Sequence, residues 1–321
     1  MTSNTLLKLL KRILGNPKRE GKNEYAFYCP FCKHHKKKLA ANVESGKWHC
    51  WVCETSGRSP RTLILRFGTQ DDINEYEKVS GVNMTAEVMR EMLITGAPVA
   101  VDTQEPIELP PEFVTLTRRN MSVYDTMVRN YLINRRGWTH NDLLFWKAGY
   151  CRKGDFGGRI IIPSFDATGT VNYFVGRAFL DSLGRKYYNP PSRKGGIIFN
   201  ELMLDFRREV IISEGVFDCA KLGENSVPLL GSYLNKEDRL FYAVVKNKSP
   251  VVLCLDTDAR KKTLTVASAL LKYGVETYIA NLGKHGDAGE IETSEEAKRI
   301  IGGAKQITPD NFALWKLQWS I

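Results

Sequence analysis

Two Cys-x-x-Cys pairs near the N-terminus constrain the fold of this chain more than any other feature. Cys29 and Cys32 are separated by 17 residues from Cys50 and Cys53. Each pair suits a tight turn whose thiolates converge, and two such turns complete a tetrahedral shell of four sulfurs around Zn²⁺. Two disulfides in a secreted domain are the alternative. The segment Thr5–Leu14 lacks the apolar region of a secretion signal and instead predicts a short amphipathic helix. Because disulfides form mainly in secreted proteins, this favours zinc over disulfides.

The region around the cysteines also suits contact with nucleic acid. The residues between the two pairs predict two short strands around a turn at Ser45 and Gly46, which would bring the second pair back to the first. The region is rich in lysine and carries Tyr28, Trp48 and Trp51. Because cations can follow phosphates while rings stack on bases, the pattern favours binding of a single-stranded nucleic acid. Alternatively, the rings form the small core of the ribbon.

Charge is distributed along the chain in blocks. The 321 residues carry a net charge of +10, which suggests a polyanionic partner. Residues 1–70 carry +10, residues 71–112 carry −8, residues 113–210 carry +8, and residues 211–321 are neutral. These shifts predict, in the same order, a zinc-ribbon domain, an acidic linker, a basic core and a separate C-terminal module. An acidic tether should not bind DNA, so we expect the ribbon to move independently of the rest.

The basic block predicts a pair of antiparallel strands. Residues 156–163 read as a strand that ends at Pro163, and residues 170–175 return after a turn. Arg159 and Arg177 each follow a glycine. A glycine lets the backbone approach a phosphate closely while the guanidinium binds it, although surface arginines are the simpler interpretation.

Acidic residues follow two strands of the last block. From about residue 210, apolar strands alternate with helices, which predicts a parallel sheet covered by helices. Glu214 follows the first strand, and Asp256 and Asp258 follow a later one. Functional residues of such sheets lie beyond the carboxyl ends of the strands, and carboxylates select Mg²⁺ or Mn²⁺. Alternatively, Asp256 caps a helix and Asp258 is a solvated loop residue, but Glu214 nearby makes a shared cation site the more specific interpretation.

Together, these features resemble the DNA primases of bacteria and bacteriophages. The last block resembles the TOPRIM domain of that family. Glu214 stands at the place of the family glutamate, and Asp256-x-Asp258 stands at its D-x-D motif. The segment that contains Asp287 is similar to a later acidic loop of the domain. The resemblance implies that Glu214, Asp256 and Asp258 are catalytic and hold Mg²⁺, with Asp287 as a further candidate.

The basic block resembles the family's motifs for contacting template and nucleotides. These motifs lie at Gly158-Arg159, Gly176-Arg177 and Lys186-Tyr-Tyr-Asn189. The resemblance therefore implies nucleotide or template contacts for Arg159, Arg177, Lys186 and Asn189. It covers roughly residues 25–60 and 115–295, which is most of the chain.

The resemblance implies an α/β protein with an N-terminal zinc ribbon, a mixed α+β basic core and a TOPRIM-like parallel α/β module. The implied enzyme is a DNA-directed RNA polymerase that makes short RNA primers from nucleoside triphosphates on single-stranded DNA during replication. Zn²⁺ and Mg²⁺ or Mn²⁺ are the implied cofactors, and a hexameric replicative helicase is the implied partner. No apolar run is long enough to cross a membrane, so we expect a cytoplasmic protein.

Two departures favour a bacteriophage protein working in the host cytoplasm. Bacterial members usually place His where Cys32 stands, and their large C-terminal helicase-interaction domain has no counterpart here. We therefore expect a stand-alone primase resembling those of T-even-like bacteriophages. Two other classes stay open. A TOPRIM nuclease or topoisomerase-like enzyme would use the same carboxylates, and a non-catalytic zinc-ribbon protein would explain the first 70 residues only.

Overall fold

Three β-sheets organise the protein. The computed structural model describes residues 3–80, 107–118, 120–180, 183–191, 194–231 and 233–320. Within these ranges, a five-stranded sheet comes first, a four-stranded sheet second and another five-stranded sheet third. The second and third sheets share one large apolar core, whereas the first has its own. No helix in the described ranges is long and apolar enough to cross a membrane.

The first sheet is an antiparallel ribbon covered by the N-terminal helix. Its elements are helix α1 (Ser3–Leu14) and strands β1 (Lys18–Arg19), β2 (Glu24–Phe27), β3 (Leu39–Asn42), β4 (Trp48–Cys50) and β5 (Ser56–Gly57). Antiparallel pairing of β3 with β4 confirms the predicted strands around Ser45 and Gly46. The predicted amphipathic helix is also confirmed, since α1 buries Leu6, Leu9 and Leu10 against the domain.

Two further helices extend the ribbon domain past the predicted boundary at residue 70. They are α2 (Arg61–Phe67) and α3 (Gln70–Ser80). Arg12 on α1 pairs with Asp72 on α3, and Leu9, Ile64 and Tyr76 form a small core between the three helices. The beginning of the predicted acidic linker is therefore a helix packed on the ribbon. Residues 81–106 of that linker lie outside the described residues.

The second sheet forms the basic core. Its elements are β6 (Phe113–Thr115), α4 (Val123–Asn130), a π-helical turn (Tyr131–Arg135), α5 (His140–Phe145), β7 (Gly149–Cys151), β8 (Arg159–Phe165) and β9 (Val171–Ala178). Pairing of β8 with β9 confirms the predicted strand pair. However, β8 continues past Pro163 to Phe165. Strand β7 pairs only with residues 159–161 of β8, so Pro163 lies where the strand has one partner and its missing N–H interrupts no central ladder.

The third sheet is the predicted TOPRIM-like module. Its elements are β10 (Val210–Ser213), α6 (Val216–Leu222), β11 (Ser226–Pro228), α7 (Arg239–Lys246), β12 (Val251–Leu253), α8 (Arg260–Lys272), β13 (Thr277–Ile279), α9 (Ser294–Gly302), β14 (Lys305–Ile307) and α10 (Phe312–Gln318). The strand order is β11-β10-β12-β13-β14, and β14 alone is antiparallel to its neighbour. Ile212 pairs with Leu253, so β10 and β12 end at the same edge of the sheet.

The ribbon domain packs against the opposite edge, at the amino-terminal ends of the parallel strands. Arg58 pairs with Glu209, the residue before β10, with 3.0 Å between Nη2 and Oε1. The Tyr76 hydroxyl donates to the buried carboxylate of Glu276, the residue before β13, at 2.9 Å. Arg58 also donates to the carbonyl of Ala304, and its side chain is only 9% exposed. The expectation of an independently moving ribbon is therefore wrong for this structure, because buried polar contacts anchor it.

Arg58→Ala should detach the ribbon while leaving its metal in place. The change leaves the partly buried Glu209 without its partner, which should cost about 3 kcal/mol of contact free energy. We expect a larger radius of gyration in small-angle X-ray scattering, with an unchanged zinc content because Arg58 lies outside the metal shell. Arg19→Ala, an exposed arginine on β1, is the matched control. Identical scattering from both variants would show that Arg58 does not anchor the ribbon.

Candidate catalytic and metal sites

The four ribbon cysteines converge on one point. Their Sγ atoms all lie within 4.8 Å of one another, with 3.7 Å between Cys29 and Cys53 and 3.9 Å between Cys32 and Cys50. Tetrahedral Zn–S bonds of about 2.3 Å place the sulfurs about 3.8 Å apart. The predicted cluster is therefore confirmed, and its dimensions fit Zn²⁺. No other group of His, Cys, Asp or Glu side chains in the described residues is gathered as tightly.

Both cysteine pairs lie on the same kind of turn. The N–H of Lys33 donates to the carbonyl of Cys29, and the N–H of Glu54 donates to the carbonyl of Cys50, each at 2.9 Å. Lys33 and Glu54 have φ values of 51° and 57°, so the chain turns in the left-handed region directly after each pair. Burial raises the pKa of the Cys29 thiol in the metal-free chain, so metal binding must release its proton.

The aromatic residues of the ribbon divide between its core and its surface. Trp48 is 3% exposed, and its indole N–H donates to the carbonyl of Ser59 at 2.9 Å. Trp51 and Tyr28 are 70% and 49% exposed. The Lys37 ammonium lies 5.3 Å from the centre of the Tyr28 ring. Trp48 is therefore a core residue, while Tyr28 and Trp51 remain accessible for stacking on a base.

The predicted carboxylates meet at the carboxyl edge of the third sheet. Glu214 follows β10 and Asp256 lies three residues after β12, on strands that are paired in register. The loop that contains Asp287 is attached to the turn after Asp256, because the N–H of Thr257 donates to the carbonyl of Gly286 at 2.9 Å. The alternative role of Asp256 as a helix cap is not found, since α8 has no side-chain cap.

The negative charges at this edge repel one another. Burial, the larger cause, and the neighbouring carboxylates together raise the pKa of Asp256 to about 7. In decreasing order of effect, those carboxylates belong to Glu214, Asp218, Asp287 and Asp258. Clusters of carboxylates with raised pKa values are typical of functional sites. Their mutual repulsion destabilises the folded state, so such clusters seldom serve a purely structural role.

Asp218 belongs to this cluster and was missed by the sequence analysis. It lies in the first turn of α6 and accepts the N–H of Gly215 at 2.8 Å, which holds the turn after Glu214. Burial and, to a lesser extent, the charge of Asp287 together raise the pKa of Asp218 to about 6. The sequence did contain a signal for Asp218, which stands four residues after Glu214. At the start of a helix, residues with this separation lie close together, so Asp218 could have been predicted to join the cluster.

The carboxylate cluster suits a hard divalent cation. The Oε1 atom of Glu214 and the Oδ1 atom of Asp287 are buried without a hydrogen-bond partner in the described structure. Such orphaned acceptors fit a bound cation, since burying an unsatisfied carboxylate oxygen is costly. The carboxylates are spaced more widely than the cysteines. This spacing suits Mg²⁺, which uses few carboxylates and keeps several waters.

Two arginines of the basic core face the carboxylates across Phe217. The guanidinium carbons of Arg177 and Arg136 lie 4.7 Å and 5.5 Å from the centre of the Phe217 ring, on α6. A Cβ on Gly289 would lie 3.2 Å from Arg136 Nη2 and 3.2 Å from Asp218 Oδ1, so both groups surround this glycine. The Nε atoms of both arginines are buried without a described acceptor. Arg136, which the sequence analysis also missed, and Arg177 are thus placed to receive a phosphate.

Of the other predicted contact residues, Arg159 begins β8, and Lys186 and Asn189 lie in the segment after β9. Arg159 is buried, stacks 5.6 Å from the Tyr188 ring and donates to the carbonyl of Arg185. Asn189 accepts the N–H of Gly176 at 3.1 Å and so supports the backbone. Lys186 is exposed. Within the described residues, no hydrogen bond or ion pair joins Arg159, Lys186 or Asn189 to the carboxylates. Of the four predicted contact residues, the structure therefore brings only Arg177 to the acidic edge of the third sheet.

Sequence comparison relates the chain to primases. No protein-family model matches it. The DNA primase of Thermotoga maritima is 23% identical over 329 residues, which cover 85% of this chain and 55% of that protein. This chain is similar to bacterial DNA primases. The DNA primase of Aquifex aeolicus is 28% identical over 164 residues, which cover 46% of this chain and 33% of that protein. The chain therefore spans about half the length of the first relative and a third of the second.

Structural comparison identifies the fold. The DnaG primase catalytic domain bound to single-stranded DNA matches with a TM-score of 0.53 and 18% identity, over 63% of this chain and 78% of that one. The catalytic core of the E. coli primase matches with a TM-score of 0.50 and 19% identity, over 62% of this chain and 79% of that one. The basic core and the TOPRIM-like module thus have the fold of a primase catalytic core.

Proposed function

We propose that this chain is a DNA primase, which synthesises short RNA primers on single-stranded DNA by metal-ion nucleotidyl transfer. The observation that carries the proposal is the meeting of Glu214, Asp256 and Asp287 at one sheet edge, opposite the buried Arg177 and the half-buried Arg136. The similarity to bacterial DNA primases and the fold of their catalytic core support it.

The reaction is an in-line displacement at the α-phosphate of a nucleoside triphosphate. Glu214, Asp256 and Asp258 are the proposed catalytic residues and ligands of Mg²⁺ or Mn²⁺, with Asp218 and Asp287 beside them. These residues would hold a divalent cation, which would lower the pKa of the attacking 3′-hydroxyl and neutralise charge on the triphosphate. The carboxylates would orient the reacting groups. Partial burial of Glu214, Asp256 and Asp287 strengthens their electrostatic contacts, whereas Asp258 is exposed.

The arginines supply the positive side of the proposed site. Arg136 and Arg177 would bind phosphate oxygens through their buried N–H groups, with Phe217 fixing the plane of both guanidinium groups. Fixed donors of this kind need little reorganisation as charge develops on the phosphate. On the basis of the family resemblance, we propose further contacts to the template or nucleotides from Arg159 on β8 and from Lys186 and Asn189 after β9.

The ribbon is proposed to bind the single-stranded template. Its accessible Tyr28 and Trp51 and its lysines suit stacking and phosphate contacts. It is anchored beside Glu209, whereas Glu214 lies at the other end of the same strand, roughly 16 Å away at the rise of a β-strand. The ribbon would therefore select the template without taking part in phosphoryl transfer. We propose four parts of the chain: a ribbon domain, an acidic linker, a basic core and a TOPRIM-like module, at residues 1–70, 71–112, 113–210 and 211–321. The helix Gln70–Ser80 is assigned to the ribbon domain.

The biological setting is proposed from the family resemblance alone. The four-cysteine ribbon resembles that of stand-alone primases of T-even-like bacteriophages, which favours a role in phage DNA replication in the host cytoplasm. A hexameric replicative helicase is the proposed partner, because primers are needed where a helicase exposes single strands.

A single assay tests the proposed activity. The zinc-loaded chain is supplied with single-stranded DNA, the four nucleoside triphosphates and Mg²⁺, without a pre-annealed primer. We expect short products that are sensitive to ribonuclease and resistant to deoxyribonuclease. Cleavage of the DNA would instead indicate a TOPRIM nuclease. Binding of DNA without any product would indicate a non-catalytic zinc-ribbon protein.

A further inference from the structure

A lysine is paired with one carboxylate of the candidate cation site. The ammonium of Lys262 donates to Oε2 of Glu214 at 2.9 Å, and the side chains are 15% and 26% exposed. Lys262 lies in the first turn of α8, which begins two residues after Asp258. Its backbone is therefore attached directly to the acidic turn. This lysine belongs to none of the motifs by which the sequence resembles primases.

The contact places a positive charge among five carboxylates. One of them is Asp256, and the charges of the other four act on it; those four belong to Glu214, Asp218, Asp258 and Asp287. Oε2 of Glu214 bonds to Lys262, while its Oε1 is buried without a described partner. A divalent cation that uses Glu214 would lie close to the ammonium group. A divalent cation and an ammonium group that both contact Glu214 in a partly buried site would repel each other strongly.

We propose that Lys262 is a built-in competitor of the divalent cation, which holds Glu214 in place until the cation displaces it. This inference rests on the proposed metal site of the primase and adds a positioning residue to it. In the metal-free chain, Lys262 offsets the repulsion between the carboxylates. On metal binding, its flexible side chain swings away, and the free energy of the lost ion pair is subtracted from the metal affinity. Lys262 thereby raises the concentration of Mg²⁺ at which Glu214 becomes available.

The neighbouring Lys261 provides a matched control. Lys261 is exposed, whereas Lys262 is partly buried, and both lie in the first turn of the same helix. Lys261→Met and Lys262→Met therefore change the net charge equally at nearly the same place. A general effect of net charge on cation binding would appear in both variants. Competition for Glu214 would appear in Lys262→Met alone.

The test measures binding of Mn²⁺ to the zinc-loaded full chain by electron paramagnetic resonance. Lys262→Met should bind Mn²⁺ about tenfold more tightly than Lys261→Met, as expected for the loss of one charge-assisted hydrogen bond. Lys262→Arg, which keeps the charge, should remain close to wild type. Without a divalent cation, Lys262→Met should melt below Lys261→Met, and Mg²⁺ should restore it.

Equal or weaker binding of Mn²⁺ by Lys262→Met would overturn the inference, because the two cations would then share Glu214 without competing. Absence of Mn²⁺ binding in all variants would overturn it as well. Neither readout depends on primer synthesis. Tighter binding by Lys262→Met in a chain that makes no primers would uphold the competition and reject the proposed function.

Discussion

Asp256→Ala should abolish primer synthesis while leaving the fold intact. Loss of a ligand to the divalent cation should lower the rate by about a thousandfold or more. The melting temperature without a divalent cation should not fall, because Asp256 is repelled by its neighbours in the folded chain and its pKa is raised for that reason as well as by burial. Removing such a group relieves repulsion instead of breaking a favourable contact.

The measurement is the amount of RNA product per chain on single-stranded DNA, with melting followed in parallel. Asp310→Ala is the control, since Asp310 is an exposed carboxylate of the same module, outside the cluster. Its activity should match wild type. If Asp256→Ala kept more than about a tenth of the wild-type activity, the proposed metal site would be in the wrong place.

Cys50→Ser should remove zinc and unfold the ribbon. A serine hydroxyl does not replace a thiolate ligand, and zinc binding contributes on the order of 10 kcal/mol to the folding of such small domains. Cys50 is buried at the end of β4, next to the core residue Trp48. We therefore expect metal analysis to find almost no zinc and the fluorescence of Trp48 to shift towards that of an exposed indole. De novo initiation at preferred template sites should disappear.

Cys151→Ser is the control for the zinc experiment. Cys151 is a buried thiol on β7, in the basic core and remote from the metal shell in sequence. Its substitution should cost some stability but leave about one zinc per chain. Full zinc occupancy in Cys50→Ser would show that a three-cysteine shell suffices. In that case, the assignment of all four thiolates as required ligands would be incorrect.

The zinc site and the acidic edge of the third sheet could largely be predicted from the sequence because their geometry is local. A Cys-x-x-Cys pair determines its own turn, so two pairs with a strand hairpin between them already define a four-sulfur cluster. Glu214 and Asp256 were also predictable, since each follows an apolar run that forms or extends a strand. Parallel strands that start on the same edge also end on the same edge, which brings the residues after them together whatever the details of packing.

Tertiary structure alone decided which other groups join these sites. Arg136 reaches the carboxylates only because Phe217, a residue of α6, packs against this arginine of the basic core. Lys262 and Glu214 are 48 residues apart, and Arg58 and Glu209 are 151 residues apart. No spacing or periodicity encodes such pairs, because each depends on the mutual placement of whole elements and on the direction of a long, flexible side chain. Local spacing therefore determined the cysteine cluster and the acidic sheet edge. Packing of whole elements determined the ion pair of Lys262 with Glu214 and the anchoring of the ribbon.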